Sequence, residues 1–135
     1  MRTATERQVI NPWSWQDEFG FVQAQAVSGA ERTIYCSGQT SVDVDGNPTH
    51  EGDMVAQVGQ ALDNLETVLR QSGCDLSNVV RLNYYTTHLD GFFPAMEVLT
   101  ARLEAAGCRP ATTLLEVSRL ARPPLLVEIE ATAVV

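Results

Sequence analysis

The chain contains no lysine, and all nine of its basic residues are arginines. This absence excludes Schiff-base chemistry on the chain, including attachment of pyridoxal phosphate, because that chemistry needs an ε-amine. It also excludes phosphate-binding loops built on a lysine. Seventeen acidic residues give a formal net charge of -8. Because affinity for nucleic acid comes mainly from neutralising phosphates, this charge disfavours a nucleic-acid partner.

Cysteines and long apolar runs are also scarce. The three cysteines, Cys36, Cys74 and Cys108, are an odd number without CxxC spacing, so we expect neither a disulfide framework nor a zinc site. The N-terminal stretch is polar, and no run approaches ~18 consecutive apolar residues. His50 and His88 have no carboxylate at ligand spacing, so no metal site is predicted. These features favour a protein of the reducing cytoplasm without a membrane partner.

The length of 135 residues fits one folded unit. A chain of this size can bury a core that is stable without disulfides or metals. We therefore expect a single domain over residues 1–135, in which residues 1–19 form an N-terminal extension and the first strand region.

Hydrophobic periodicity predicts two helices and four strands. Apolar residues between Asp53 and Ser72 recur every three or four positions, which is the spacing of one helix face. Asp53 is typical of a helix start and Gly73 of a helix end. Residues 91–106 show the same helical spacing. Stretches rich in β-branched and aromatic residues predict strands over 31–39, 79–87, 112–120 and 125–135.

The last predicted strand indicates the architecture. Residues 125–135 alternate between an entirely apolar side and a mixed side that bears Glu128. The apolar side has to carry the two helices, which gives a two-layer α+β sandwich with one open sheet face. We place Thr112, Leu114 and Glu116 on this open face beside Glu128. A face that mixes leucines with carboxylates is too apolar for open water, so we expect a symmetric oligomer to bury it.

Four segments have a familiar order along the chain. They are SGQ at 37–39, AQVGQALDNLETVLRQSG at 56–73, RPATTLLEVSRL at 109–120 and VEIEATAV at 127–134. Together they resemble the reactive intermediate deaminase family, also called the Rid or YjgF family, from about Gly20 to the C-terminus. The resemblance implies a chorismate-mutase-like fold and a homotrimer with a central β-barrel and ligand clefts between subunits. It also implies hydrolysis of enamines or imines, a small-molecule substrate and no cofactor or metal.

The resemblance further implies roles for individual residues. Glu128 matches the carboxylate that activates water, and the Ser37-Gly38 backbone matches a group that hydrogen-bonds the substrate. Where active relatives carry an arginine that pairs with the substrate carboxylate, this chain has Thr112. Three further substrate-binding positions, which are a tyrosine, an asparagine and a cysteine in the family, are apolar here: Phe21, Met96 and Leu114.

The missing arginine affects which substrates the site can bind. A bidentate arginine-carboxylate contact is charge-assisted, whereas a threonine hydroxyl offers one neutral hydrogen bond. Removing a buried charged partner costs roughly 2 to 5 kcal/mol in binding complexes. The usual 2-imino acid is therefore disfavoured at Thr112, unless Arg109, three residues earlier, supplies the cation.

Three functions from different classes remain open. The favoured one is a divergent hydrolase of an imine, an enamine or a similar reactive molecule, with Glu128 as the acid-base group. The second is a non-catalytic trimer that binds a small metabolite in the same clefts. The third is the endoribonuclease activity attributed to some family members, which the acidic composition disfavours. Glu116 and Glu130 are interpreted as structural carboxylates.

Overall fold

The computed structural model describes residues 5–135. These residues contain six strands and three α-helices, with short 3₁₀ turns at Trp15–Phe19, Leu76–Asn78 and Phe93–Ala95. In chain order the strands and helices are β1 (Glu6–Ile10), β2 (Ala24–Ser28), β3 (Thr33–Gln39), α1 (Met54–Gln71), β4 (Val79–Thr86), α2 (Leu89–Phe92), α3 (Met96–Ala105), β5 (Ala111–Glu116) and β6 (Val127–Val134).

The central sheet is mixed and has the strand order β3-β6-β4-β5. Strand β6 pairs antiparallel with both β3 and β4, and β4 pairs parallel with β5. The helices pack on one face of this sheet, where the buried residues of α1, α3, β4 and β6 form one apolar core. The α+β architecture expected from the sequence, with helices on one sheet face, is confirmed.

Helix α1 forms as the sequence predicts. Its buried side chains include Val58, Leu62, Leu65 and Leu69, which share one face and are fully enclosed by the sheet. The Asp53 carboxylate accepts a hydrogen bond from the backbone N–H of Ala56 at 3.1 Å, which satisfies one of the free donors of the first turn. This long helix anchors the covered face of the sheet.

The predicted helix over residues 91–106 is interrupted. Leu89–Phe92 forms one α-helical turn, Phe93–Ala95 is a 3₁₀ turn, and the regular helix starts at Met96. Pro94 lies in the 3₁₀ turn, and its lack of an N–H explains why a continuous α-helix does not form there. The interruption places the start of α3, with Met96, at the edge of the sheet.

Two other predictions differ from the structure. The strand expected over residues 112–120 ends at Glu116, and the chain then runs through a loop that contains Pro123 and Pro124. A separate two-stranded antiparallel sheet pairs β1, which lies in the first strand region expected within residues 1–19, with β2, which was not predicted. Residues 1–4 of the predicted N-terminal extension lie outside the described residues. Within 5–135, no helix is both long and apolar enough to cross a membrane.

The register of β5 corrects the face assigned to Thr112. Thr112 pairs with Leu82, Leu114 with Tyr84 and Glu116 with Thr86. These partners on β4 are all buried, and they pair in turn with Ala131, Ile129 and Val127, the apolar residues of β6. Thr112, Leu114 and Glu116 therefore lie on the helix-covered face, opposite Glu128. The prediction that they share the open face with Glu128 is wrong.

Candidate functional site

A cavity of about 200 Å³ opens on the helix-covered face, at the β5 edge of the sheet. We call it the aromatic pocket. It brings together four of the residues singled out from the sequence, which are Phe21, Met96, Thr112 and Leu114. Its other walls are Phe19, Gly20, Tyr84, Phe93, Leu99, Thr100 and Leu103. None of these side chains carries a charge, so the pocket is built to enclose apolar groups.

Backbone geometry directs Phe21 into the aromatic pocket. Gly20 adopts a left-handed conformation, with φ of 76°, at the end of the preceding 3₁₀ turn. A Cβ at this position would lie 3.0 Å from the Thr100 methyl, so the close approach also requires glycine. The next residues are fixed to the sheet because the Val22 N–H donates to the Pro110 carbonyl at 3.0 Å. The Phe21 ring then stacks edge-on against Trp15, with ring centroids 5.7 Å apart.

Tyr84 is a pocket residue that sequence analysis did not identify. It sits on β4, with 5 % of its surface exposed, and contacts the Phe92 ring. Burial raises the pKa of its phenol, so the hydroxyl is protonated and can donate a hydrogen bond at neutral pH. The sequence offered one usable signal, since a tyrosine on the buried side of a strand needs a partner for its hydroxyl.

Arg109 does not replace the missing cation. Its guanidinium donates to the Asp17 carbonyl at 3.2 Å and lies 3.7 Å from the Asp17 carboxylate. Half of the Arg109 side chain is exposed, and it borders a second, smaller depression rather than the aromatic pocket. Among the described residues, those that line the aromatic pocket with Thr112 include no charged side chain.

The remaining predicted residues, Ser37, Gly38 and Glu128, meet on the open sheet face. The β3-β6 register shifts between Cys36 and Gln39, so Ser37 and Gly38 form a bulge opposite β6. A Cβ built on Gly38 would lie 2.5 Å from the carboxyl carbon of Glu128. The Glu128 carboxylate therefore packs directly against the Gly38 backbone, and this contact requires glycine at residue 38.

Glu128 and Glu130 lie on the same face but have opposite electrostatic environments. Burial, followed by repulsion from Glu130, raises the pKa of the Glu128 carboxyl. Hydrogen bonds from the Asn83 amide and the Tyr85 hydroxyl, at 2.8 and 2.9 Å, lower the pKa of Glu130. Glu130 is thereby held as a structural anion, as expected. Glu128 is therefore the more readily protonated of the two carboxylates.

The seven residues proposed from the sequence thus form two groups rather than one site. Phe21, Met96, Thr112 and Leu114 line the aromatic pocket on the covered face. Ser37, Gly38 and Glu128 form a second group, which we call the carboxylate site, on the open face between β3 and β6. The sheet separates the two groups within one chain.

The other acidic residue singled out has a structural contact. The Glu116 carboxylate accepts a hydrogen bond from the Leu89 N–H at 2.9 Å, at the start of α2. His50 and His88 do not gather with other ligands, because the described residues contain no cluster of three or more histidine, cysteine or acidic side chains that could hold a metal ion. Cys36, Cys74 and Cys108 are free thiols.

Comparison with known proteins identifies the family. The model of the family described as Endoribonuclease L-PSP matches residues 18–135. A 2-iminobutanoate/2-iminopropanoate deaminase of Mus musculus is 36 % identical over 111 residues, which cover 82 % of this chain and 79 % of the relative. Protein DfrA of Myxococcus xanthus is 37 % identical over 114 residues, which cover 84 % of both chains.

Solved structures agree with these matches. The Rid-family protein YyfB of Yersinia pestis, whose function is unknown, superposes with a TM-score of 0.86 and 34 % identity, covering 96 % of this chain and 98 % of its own. Rv2704 of Mycobacterium tuberculosis, of the YjgF/YER057c/UK114 family, gives a TM-score of 0.65 with 30 % identity, covering 96 % and 100 %. The chain belongs to the YjgF/Rid family.

Proposed function

We propose that the protein is a homotrimeric hydrolase of a reactive imine or enamine other than the usual 2-imino acids. The observation that carries this proposal is the Glu128 carboxylate, which is partly buried against the Gly38 bulge and has a raised pKa. A general acid-base group works best when its pKa lies near the operating pH. The pKa of Glu130, two residues away, is lowered, so we assign Glu130 a structural role rather than proton transfer.

The position of the two half-sites supports a cleft between subunits. The carboxylate site has acid-base chemistry without an enclosing wall, and the aromatic pocket has walls without an acid-base group. Because one sheet separates them, a single chain cannot present both to one ligand. A second copy that places its carboxylate site against the aromatic pocket of the first completes the cleft. Ring closure of this heterologous contact over three copies gives the trimer.

The open sheet face supports the same assembly. Tyr35 is 81 % exposed and Leu115 is 49 % exposed on this face, beside the polar groups of Glu128 and Glu130. Large exposed apolar residues next to partly desolvated carboxylates are typical of surfaces covered by a partner subunit. A β-barrel of three such faces would bury them.

In the proposed reaction Glu128 moves protons. As the carboxylate it takes a proton from water while the water oxygen bonds to the imine carbon, and it passes that proton to the nitrogen, which gives a carbinolamine. Glu128 then takes the proton of the carbinol hydroxyl and passes it to the nitrogen as the carbon-oxygen double bond forms and the carbon-nitrogen bond breaks, releasing ammonia and a carbonyl product. The backbone N–H groups of the Ser37-Gly38 bulge serve to orient the substrate.

The absence of a cation at Thr112 restricts which substrates can bind. Without a cation, binding of a substrate carboxylate loses roughly 2 to 5 kcal/mol of the stabilisation that an arginine would give. The 2-iminobutanoate of the mouse relative's name is therefore disfavoured here, although that relative is 36 % identical. A neutral imine suits the uncharged pocket better.

Ammonia release from freshly generated imines tests this function. We expect turnover of neutral imines above the uncatalysed rate, and little turnover of 2-iminobutanoate. Glu128→Gln is the control, and it should remove the activity while leaving the trimer intact. If no imine is hydrolysed but ligands still bind, the protein is a non-catalytic binder. If the wild type degrades RNA and the Glu128→Gln variant degrades it equally well, the proposal is contradicted.

A further inference from the structure

Tyr84 lines the aromatic pocket, and its hydroxyl has no hydrogen-bond partner among the described residues. Asn83 Oδ1 is the one fully enclosed side-chain polar atom without a hydrogen-bond partner among residues 5–135. The Tyr84 oxygen has no hydrogen-bond partner in this range either and is not fully enclosed, and Tyr84 is one of the residues that line the aromatic pocket. A tyrosine that is 95 % buried normally satisfies its hydroxyl, because burying an unpaired polar group is unfavourable. The Tyr84 hydroxyl is therefore free to donate a hydrogen bond to a molecule that enters the pocket.

The rest of the pocket defines what that ligand can be. Its other polar side chains are the hydroxyls of Thr100 and Thr112, and all remaining walls are apolar. A carboxylate that entered this space would leave water without meeting a cation, which is strongly unfavourable. A neutral oxygen that accepts the Tyr84 proton donor would instead gain a hydrogen bond in a site of low polarity.

The cavity also limits ligand size. Its volume is about 200 Å³. An apolar cavity of about 150 Å³ is large enough for benzene. The aromatic pocket therefore has space for a ring or a branched chain, with the acceptor group at the Tyr84 end.

We propose that the aromatic pocket binds neutral carbonyl compounds whose apolar part is about the size of a phenyl ring. Tyr84 donates a hydrogen bond to the carbonyl oxygen, and the pocket excludes carboxylates of the same size and shape. This inference rests on the proposed function and names its substrate class. The imine that is hydrolysed carries a neutral ketone, ester or amide where the usual substrates carry a carboxylate. Tyr84 then takes the binding role that Thr112 cannot fill.

Two probes of similar shape test the inference. Acetophenone is a neutral ketone and benzoate is a carboxylate, and both have a phenyl body with the same number of non-hydrogen atoms. Methionine methyl groups labelled with ¹³C report where they bind, because Met96 lines the pocket and Met54 packs elsewhere in the core. We expect acetophenone to shift the Met96 signal and not that of Met54. Benzoate should bind at least about tenfold more weakly.

Tyr84→Phe tests the hydrogen bond itself. This variant keeps the ring and removes the hydroxyl, so acetophenone affinity should fall by about two- to tenfold. Benzoate binding equal to that of acetophenone, no shift of Met96, or unchanged acetophenone affinity in Tyr84→Phe would each overturn the inference. The comparison of the two probes on the wild type stands even if the variant folds poorly.

These outcomes are separable from those of the proposed function, because binding is read at Met96 without turnover. If acetophenone binds at Met96 as expected while no imine is hydrolysed, the ligand class stands and the catalytic proposal fails. If Glu128-dependent hydrolysis is found but prefers carboxylate-bearing imines, the catalytic proposal stands and the ligand class fails.

Discussion

The two faces of the central sheet divide the chemistry of the candidate site between them. The covered face carries the aromatic pocket, which is enclosed, uncharged and lined by Phe21, Tyr84 and Thr112. The open face carries the carboxylate site, where Glu128 lies against Gly38 and beside Glu130. Each face lacks what the other provides. The difference supports the proposed assembly, in which each chain contributes one half of two sites.

The largest expected effect comes from the open face. Glu128→Gln removes the proton-transfer group with little change in shape, and we expect imine hydrolysis to fall by about 10²- to 10⁴-fold. Initial rates of ammonia release measure the loss. Glu130→Gln is the matched control, because its carboxylate is occupied by Asn83 and Tyr85, and its loss should be much smaller. Equal losses in both variants would contradict the division of roles between the two carboxylates.

Gly38→Ala should have the next largest effect. The added Cβ would lie 2.5 Å from the Glu128 carboxyl carbon, so the carboxylate has to move. Displacing a catalytic group by about 1 Å can cost about 10²-fold in rate. Gly59→Ala is the control, because a Cβ there meets nothing within 4 Å and alanine favours helix α1. Full activity in Gly38→Ala would show that the Glu128 contact with the bulge is irrelevant to turnover.

A change in ligand preference tests the covered face. Thr112→Arg introduces a cation into the aromatic pocket, and we expect binding of 2-oxobutyrate to increase by about tenfold or more, as measured by calorimetry. The arginine lacks the hydrogen bonds that would position it, which limits the gain. In a folded variant, no gain would mean that residue 112 does not face the ligand.

Replacing Glu128 and replacing Glu130 by glutamine should change the free energy of unfolding in opposite directions. Each change should be less than about 1 kcal/mol, because solvent screens both carboxylates. The raised pKa of Glu128 means that folding disfavours its charge, so Glu128→Gln should increase the free energy of unfolding at pH 7. This gain should vanish as the pH falls below the pKa of an unfolded glutamate. Glu130 has a lowered pKa. Glu130→Gln should therefore destabilise at pH 7, and this loss should shrink as the pH falls through the lowered pKa.

Urea unfolding at one fixed protein concentration measures both differences, since an oligomer's stability depends on concentration. The same sign for the two variants would show that the two carboxylates do not occupy opposite electrostatic environments.

The sequence predicted the elements with strong periodicity. Helix α1 and strand β6 were identified because their apolar spacing is regular. Strand β2 was missed because none of its five residues is buried, which leaves no apolar alternation to detect. The interruption before α3 was not predicted, because the apolar residues keep helical spacing across Pro94, which breaks the helix.

The sequence named the residues of the candidate site but not their arrangement. The resemblance supplied Glu128, Gly38 and Thr112, yet alternation within β5 could not show which face Thr112 occupies. Pairing with the buried side of β4 decides that, and pairing partners are not visible in one strand. Tyr84 was missed for a related reason, because a tyrosine within VVRLNYYTT reads simply as a strand residue.

Mixing of two inactive variants tests the central claim most directly. Glu128→Gln retains an intact aromatic pocket, and Met96→Trp fills that pocket while retaining Glu128. Each alone should be inactive. If one site takes its pocket and its carboxylate from different subunits, co-refolded mixtures should regain about a quarter of the wild-type sites, because chains combine at random in a cyclic trimer. No recovered hydrolysis in mixtures that native mass spectrometry shows to contain mixed trimers would contradict the account.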